Sequence, residues 1–238
     1  MKTLAFVMPN LTGGGAERVA LNLANEYIAM GYSVEFVLCE RRGILIESVS
    51  EKIEIVDLQS PKLRQAVIPL FKYLKNIKPD GLFVYMWPLT TITVVAALFA
   101  GYKGRLILSE HTTLSLTPQA LGLSGRLLKF SMRFINGLKG EVVGVSHGVI
   151  DDLHLLGLSK RSGRVIHNPI VVSDKATLPN SWLSHPWVSE SAARKILAVG
   201  SLKKQKDYPL LLNSVAILKG KGVSVQLLIL GQGDLEPE

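Results

Sequence analysis

Five short apolar runs, Leu4–Met8, Val34–Leu38, Leu82–Trp87, Leu106–Leu108 and Val142–Val145, alternate along the chain with helix-patterned stretches such as Glu17–Met30 and Leu63–Ile77. Apolar runs separated by helices are what a parallel sheet requires, because each crossover helix covers a strand face that would otherwise meet water. The pattern predicts an α/β protein built on a doubly wound parallel sheet, Rossmann-like in its first part. A further short strand is expected at Arg164–Ile166.

The turn after the first run is Gly13-Gly14-Gly15, placed directly before a helix over Ala16–Met30. A strand feeding a glycine-rich turn lets backbone N–H groups approach a phosphate or a sugar closely, and the helix N-terminus adds partial positive charge. A tight strand-to-helix turn is the other use of such a run. A nicotinamide-binding loop requires Gly-x-Gly-x-x-Gly, and here Arg18 stands where the third glycine belongs.

The single cysteine, Cys39, lies in an apolar run and has no partner, so a disulfide framework is excluded and a reducing compartment follows. Thr3–Pro9 is shorter than the apolar region of a secretory signal, which makes the cytoplasm the expected location. Gly81–Tyr102 carries no charge and passes a crude length test for a membrane span. Pro88 and the threonines at 90, 91 and 93 divide it instead into a strand, Leu82–Trp87, and a helix, Ile92–Ala100.

The net charge of +8 is concentrated in one third of the sequence. Between Pro61 and Lys139 there are eleven Lys or Arg against Asp80 and Glu110, a local excess of +9. On the helix-patterned stretch Ser124–Leu138, Arg126, Lys129 and Arg133 share one face, while Leu127, Leu128, Phe130, Phe134, Ile135 and Leu138 form a broad apolar sector. Such a helix can contact an anionic membrane through those three cations, or lie as a solvated basic face over an ordinary core. No zinc spacing or aromatic RNA-binding motif accompanies the charge, which argues against nucleic acid. No Asp-x-Asp and no Cys/His pair with ligand spacing is present, so no metal is expected.

The expected organisation is a first domain over 1–170, a linker over 171–193 rich in Ser, Pro and Asp, and the start of a second domain over 194–238. The last part offers a strand at Lys195–Val199, a helix at Tyr208–Lys219 and a strand at Val225–Leu230. Two strands and a helix cannot bury both faces of a parallel sheet, so a truncated domain or a partner that completes it is expected.

Several blocks, in order, resemble family-4 retaining glycosyltransferases of GT-B fold. They are Gly13-Gly14-Gly15-Ala16-Glu17-Arg18, Ser109-Glu110-His111-Thr112, Val145-Ser146, Val165-Ile166-His167-Asn168-Pro169, His185-Pro186-Trp187, Val199-Gly200-Ser201-Leu202 with Lys206, and Leu228-Ile229-Leu230-Gly231-Gln232-Gly233. The resemblance implies transfer of a hexosyl unit from a nucleotide-diphosphate sugar, such as a UDP- or GDP-hexose, to a hydroxyl of a glycan or lipid-linked acceptor. It implies no metal.

By the same resemblance Gly13, Gly14 and Gly15 lie near the donor diphosphate, and His111 matches a histidine beside the donor sugar and acceptor. His147, His154, His167 and His185 receive no such support and are read as structural or exposed. The family's Arg position in the second domain is Ser201 here, its Lys position is kept by Lys206, and Lys203 and Lys204 are possible substitutes for the missing cation. Gly231 and Gly233 shape the turn near the nucleotide. The family's Glu-x7-Glu element has no counterpart, and Glu236 and Glu238 lack its spacing, so this chain alone is expected to lack a complete donor site. A non-catalytic, membrane-associated acceptor-binding scaffold is the alternative.

Overall fold

In the computed structural model the described residues are 1–117, 122–135, 140–169 and 193–233. The chain divides into two compact units, Met1–Val172 and Ser173–Glu238. The expected linker, apart from Ala193, lies outside the described residues, as do His185, Leu138, Glu236 and Glu238.

The first unit holds seven parallel strands in the order β3-β2-β1-β4-β5-β6-β7. They are β1 (Thr3–Met8), β2 (Ser33–Leu38), β3 (Glu54–Asp57), β4 (Gly81–Tyr85), β5 (Arg105–Glu110), β6 (Gly140–Gly144) and β7 (Arg164–Val165). Its helices are α1 (Gly15–Ala29), α2 (Val67–Ile77), α3 (Leu89–Phe99), α4 (Gly122–Ile135) and α5 (His147–Leu156). The strand order reverses between β1 and β4, and the crevice outside the carboxyl ends of these two strands is where sheets of this kind hold ligands.

The central strand explains why the sheet forms. Ala5, Phe6, Val7 and Met8 are all fully buried, with alternate side chains entering two different cores. Ala5 and Val7 join Leu82 and Val84 in the cluster that α2, α3, α4 and α5 complete. Phe6 and Met8 face the cluster built with α1, whose Ala16, Ala20 and Ala24, four residues apart, let the helix approach closely. There the Phe6 ring stacks on Phe83 at 4.8 Å.

The uncharged stretch resolves into β4 and α3, and among the described residues no helix is long and apolar enough to cross a membrane. The helix begins at Leu89, earlier than Ile92, with Pro88 at its N-cap, a position that needs no backbone donor. Leu63–Ala66 forms a 3₁₀ turn that leads into α2. The pattern reading passed over β3 and α5. The first is a four-residue edge strand, too short for a periodic signal. The second carried legible signals in the Ser146 cap, whose Oγ accepts from the Val149 N–H at 3.3 Å, and in Gly157 at φ 117° after the last turn.

The second unit contains β8 (Arg194–Val199) and β9 (Val225–Leu230), paired in parallel, with α6 (Tyr208–Gly220) crossing between them. Asp207 caps that helix through its Oδ1, which accepts from the Leu210 N–H at 3.4 Å.

Candidate functional site

The carboxyl ends of the strands in the first unit carry the glycine turn and His111. The glycine turn leaves β1, and Gly13 adopts φ +107°, a conformation that side chains rarely tolerate. Gly14 is the N-cap of α1, and the first helical bond runs from the Arg18 N–H to the Gly14 carbonyl at 3.2 Å. The N–H groups of Gly15, Ala16 and Glu17 therefore lie ahead of the intrahelical ladder. Glu17, itself buried, folds back so that its carboxylate stands beside Gly14, where it complements the positive end of the helix.

His111 follows β5 directly. Its Nε2 lies 3.0 Å from the Ser109 Oγ, and its ring packs against Tyr85 at 5.5 Å between centroids. Burial lowers its pKa to about 4, so the imidazole is neutral at physiological pH. It lines a cavity of about 340 Å³ whose floor includes Phe83, Tyr85 and Ile107. Val19, Leu23 and Tyr27 of α1 line the same cavity, so the helix opened by the glycine turn, rather than the turn itself, shares it with His111. His167 is exposed but lines this cavity too, and its Nδ1 lies 3.1 Å from the Val145 carbonyl. Its exposure agrees with the sequence reading, but its place at this cavity is not legible there. The structure brings it to the cavity because β7 ends beside β6, a neighbourhood that the sequence separation of 56 residues conceals.

Glu110 stands between Ser109 and His111 in the same block of sequence. Its side chain points to the opposite face of β5 and is 2% exposed. Its Oε2 accepts from the Trp87 N–H at 3.0 Å and its Oε1 from the Thr90 hydroxyl at 2.9 Å. Burial raises its pKa to about 7, and these two hydrogen bonds only partly offset that rise.

On α4 the apolar sector divides. Leu128, Ser131 and Met132 are buried, whereas Leu127 (58% exposed), Phe130 (65%) and Phe134 (36%) face outward. Phe130 and Phe134 stack on each other at 6.4 Å. Arg126, Lys129 and Arg133 are also exposed, so a stripe of large apolar side chains runs beside the basic one. Of the apolar sector read from the sequence, Leu128 enters the core, whereas Leu127, Phe130 and Phe134 stay outside it.

In the second unit Ser201 follows β8, and Lys206 closes the 3₁₀ turn Lys204–Lys206. The Lys206 stem passes beside Gly200, whose carbonyl accepts from the Tyr208 hydroxyl at 2.9 Å. Gly231 and Gly233 abut the backbone of Gly200 and Leu202, where a Cβ on either would collide with a carbonyl oxygen. Close backbone packing is therefore a sufficient reason for glycine at both positions.

A doubly wound parallel sheet with a glycine turn at its switch point and a second unit that begins another parallel sheet define an α/β protein of GT-B-like fold. The chain belongs to glycosyltransferase family 4, whose model matches residues 13–174. It is 26% identical, over its whole length, to the N-acetylgalactosamine-N,N'-diacetylbacillosaminyl-diphospho-undecaprenol 4-alpha-N-acetylgalactosaminyltransferase of Campylobacter jejuni, of which it spans 65%. Among solved structures, 99% of it aligns with 62% of Anabaena HepE in complex with UDP and glucose, at a TM-score of 0.72 and 15% identity. Sucrose-phosphate synthase from Thermosynechococcus elongatus matches at a TM-score of 0.73 and 16% identity, covering 99% of this chain and 64% of that one.

Proposed function

We propose that this chain forms the acceptor-side part of a glycosyltransferase that moves a hexosyl unit from a nucleotide-diphosphate sugar to a hydroxyl of a glycan or lipid-linked acceptor. The observation that carries this reading is the neutral His111 at the carboxyl end of a largely apolar cavity between α1 and one face of the sheet, in a family-4 chain. The diphospho-undecaprenol in the name of the Campylobacter relative supports a lipid-linked acceptor, and the UDP and glucose bound by HepE support the donor class.

A neutral imidazole can orient the acceptor hydroxyl and stabilise charge that develops on the sugar. With retention, the bond between the anomeric carbon and the diphosphate oxygen breaks. The acceptor oxygen bonds to that carbon on the same face, and the hydroxyl proton passes to the departing diphosphate. Ser201, Lys206, Gly231 and Gly233 serve the diphosphate and nucleotide, and no metal takes part. The outward stripe of Leu127, Phe130 and Phe134 beside Arg126, Lys129 and Arg133 fits the surface of an anionic membrane, on its cytoplasmic side, with the aromatic rings at headgroup level.

The test is a histidine-labelled NMR titration of the chain with a lipid-diphosphate-linked saccharide in nanodiscs, then with UDP- and GDP-hexoses. The acceptor is expected to shift the His111 resonances. An acceptor that leaves them unmoved would overturn the assignment of this cavity. Binding of a UDP- or GDP-hexose besides the acceptor would favour the enzyme over a scaffold.

A further inference from the structure

The buried carboxylate of Glu110 has no cation beside it: among the described residues its partners are the backbone N–H of Trp87, in the turn that joins β4 to α3, and the hydroxyl of Thr90, in the first turn of α3. That turn and the first turn of α3 are fastened to the end of β5 three times over. The Met86 N–H donates to the Ser109 carbonyl at 2.9 Å, the Trp87 N–H to Glu110 Oε2, and the Thr90 hydroxyl to Glu110 Oε1. From the other side, the Val145 N–H after β6 donates to the Glu110 carbonyl at 3.2 Å. The two residues before His111 are thus held from both neighbouring strands. Two of these four bonds end on one side chain.

We propose that Glu110 is a positioning residue for His111: its carboxyl clamps the β4–α3 turn onto the end of β5 and so keeps the imidazole on Ser109 and against Tyr85. Side chains alternate along β5, so Glu110 reaches the opposite core while Ser109 and His111 face the cavity. Its action on the histidine therefore passes through the backbone and through Tyr85, which the same turn carries as the last residue of β4. The indole of Trp87 extends the framework to α4, where its Nε1–H donates to the Ser131 Oγ at 3.1 Å. The inference rests on the reading of His111 as the acceptor-side residue, but its test needs neither substrate nor turnover.

The clamp asks for one acceptor facing Trp87 and one polar atom facing the Thr90 hydroxyl. Glutamine supplies both, since its Oε1 can accept from the Trp87 N–H while its amide donates to the Thr90 Oγ. Glu110 is protonated in the acid range where His111 titrates, so Glu110→Gln replaces one neutral group with another. Alanine supplies neither atom.

The experiment is a pH titration of the histidine-labelled chain by NMR, with the His111 signal identified by its loss in His111→Gln. Glu141, Arg164 and His167 line the same cavity and are unchanged in every variant. Glu110→Ala is expected to raise the His111 pKa by about one unit or more towards the ordinary imidazole value of about 6.5, because the ring loses its shielded seat. Glu110→Gln is expected to keep it near 4. Thr90→Val, which removes one arm without changing shape, is expected to fall between and serves if the alanine variant does not fold. An equal rise in the Gln and Ala variants would overturn the clamp, and so would no rise in either Glu110→Ala or Thr90→Val.

Discussion

Replacing Glu110 by Gln should reveal a pH dependence of stability that the native carboxyl imposes. Burial raises its pKa from 4.5 to about 7, so the folded state binds this proton more tightly than the unfolded chain does. An acid shifted upward stabilises the fold most below pH 4.5, and the contribution declines as pH rises through the window from 4.5 to about 7. At about 1.4 kcal/mol per unit, the loss totals about 3 kcal/mol. Glutamine does not titrate, so the stability of Glu110→Gln relative to the native chain should increase by about 3 kcal/mol between pH 4.5 and 8. His111 acts in the opposite sense: its lowered pKa costs stability as pH falls towards 4, but that contribution is common to both chains and cancels in the difference. Urea unfolding at several pH values, followed on the indole resonance of Trp87, would report on the first unit alone. With a slope of about 1–3 kcal/mol per molar urea, the relative midpoint should move by about 1 M or more. A difference that stays constant across this range would refute the claim that the buried carboxylate is disfavoured in the fold.

The α4 face makes a separable prediction. Arg126→Glu, Lys129→Glu and Arg133→Glu together should abolish cosedimentation with vesicles containing anionic lipid and leave the melting temperature unchanged, since all three side chains are exposed. Phe130→Ser with Phe134→Ser should weaken the same binding but leave its salt dependence, because only the inserted apolar area is lost. Gly231→Ala should destabilise the second unit by about 2 kcal/mol or more, read as a lower melting transition, because the new Cβ meets the Gly200 carbonyl rather than a flexible side chain. Finally, EDTA should leave sugar transfer by the enzyme unchanged. A dependence restored by magnesium would remove the proposal of metal-free chemistry.

The sequence carried the architecture because parallel strands and crossover helices have strong, different periods. β1, β2, β4, β8 and β9 stand within a residue or two of their apolar runs, and α1 starts at the glycine turn. Boundaries moved where a local rule yielded to a neighbour. α3 starts at Leu89, because Pro88 makes an acceptable cap, and α2 gives up its first turn to a 3₁₀ segment. The short edge strand β3 left almost no trace, having only four residues in which to show a pattern.

What the sequence determined by itself is which residues share a face and which residue type ends a strand: the cations of α4, the glycine turn after β1, and a histidine one step beyond β5. What covers a face is decided by tertiary packing. An apolar arc on a helix is written in the residues, but only packing against α3 and α5 selects Leu128 and Met132 for the core and leaves Leu127, Phe130 and Phe134 outside. Strand order likewise set His167 beside the cavity of His111, and laid the β4–α3 turn on β5, where Glu110 fastens it. Contacts between strand ends join segments far apart in the chain, and no local period encodes them.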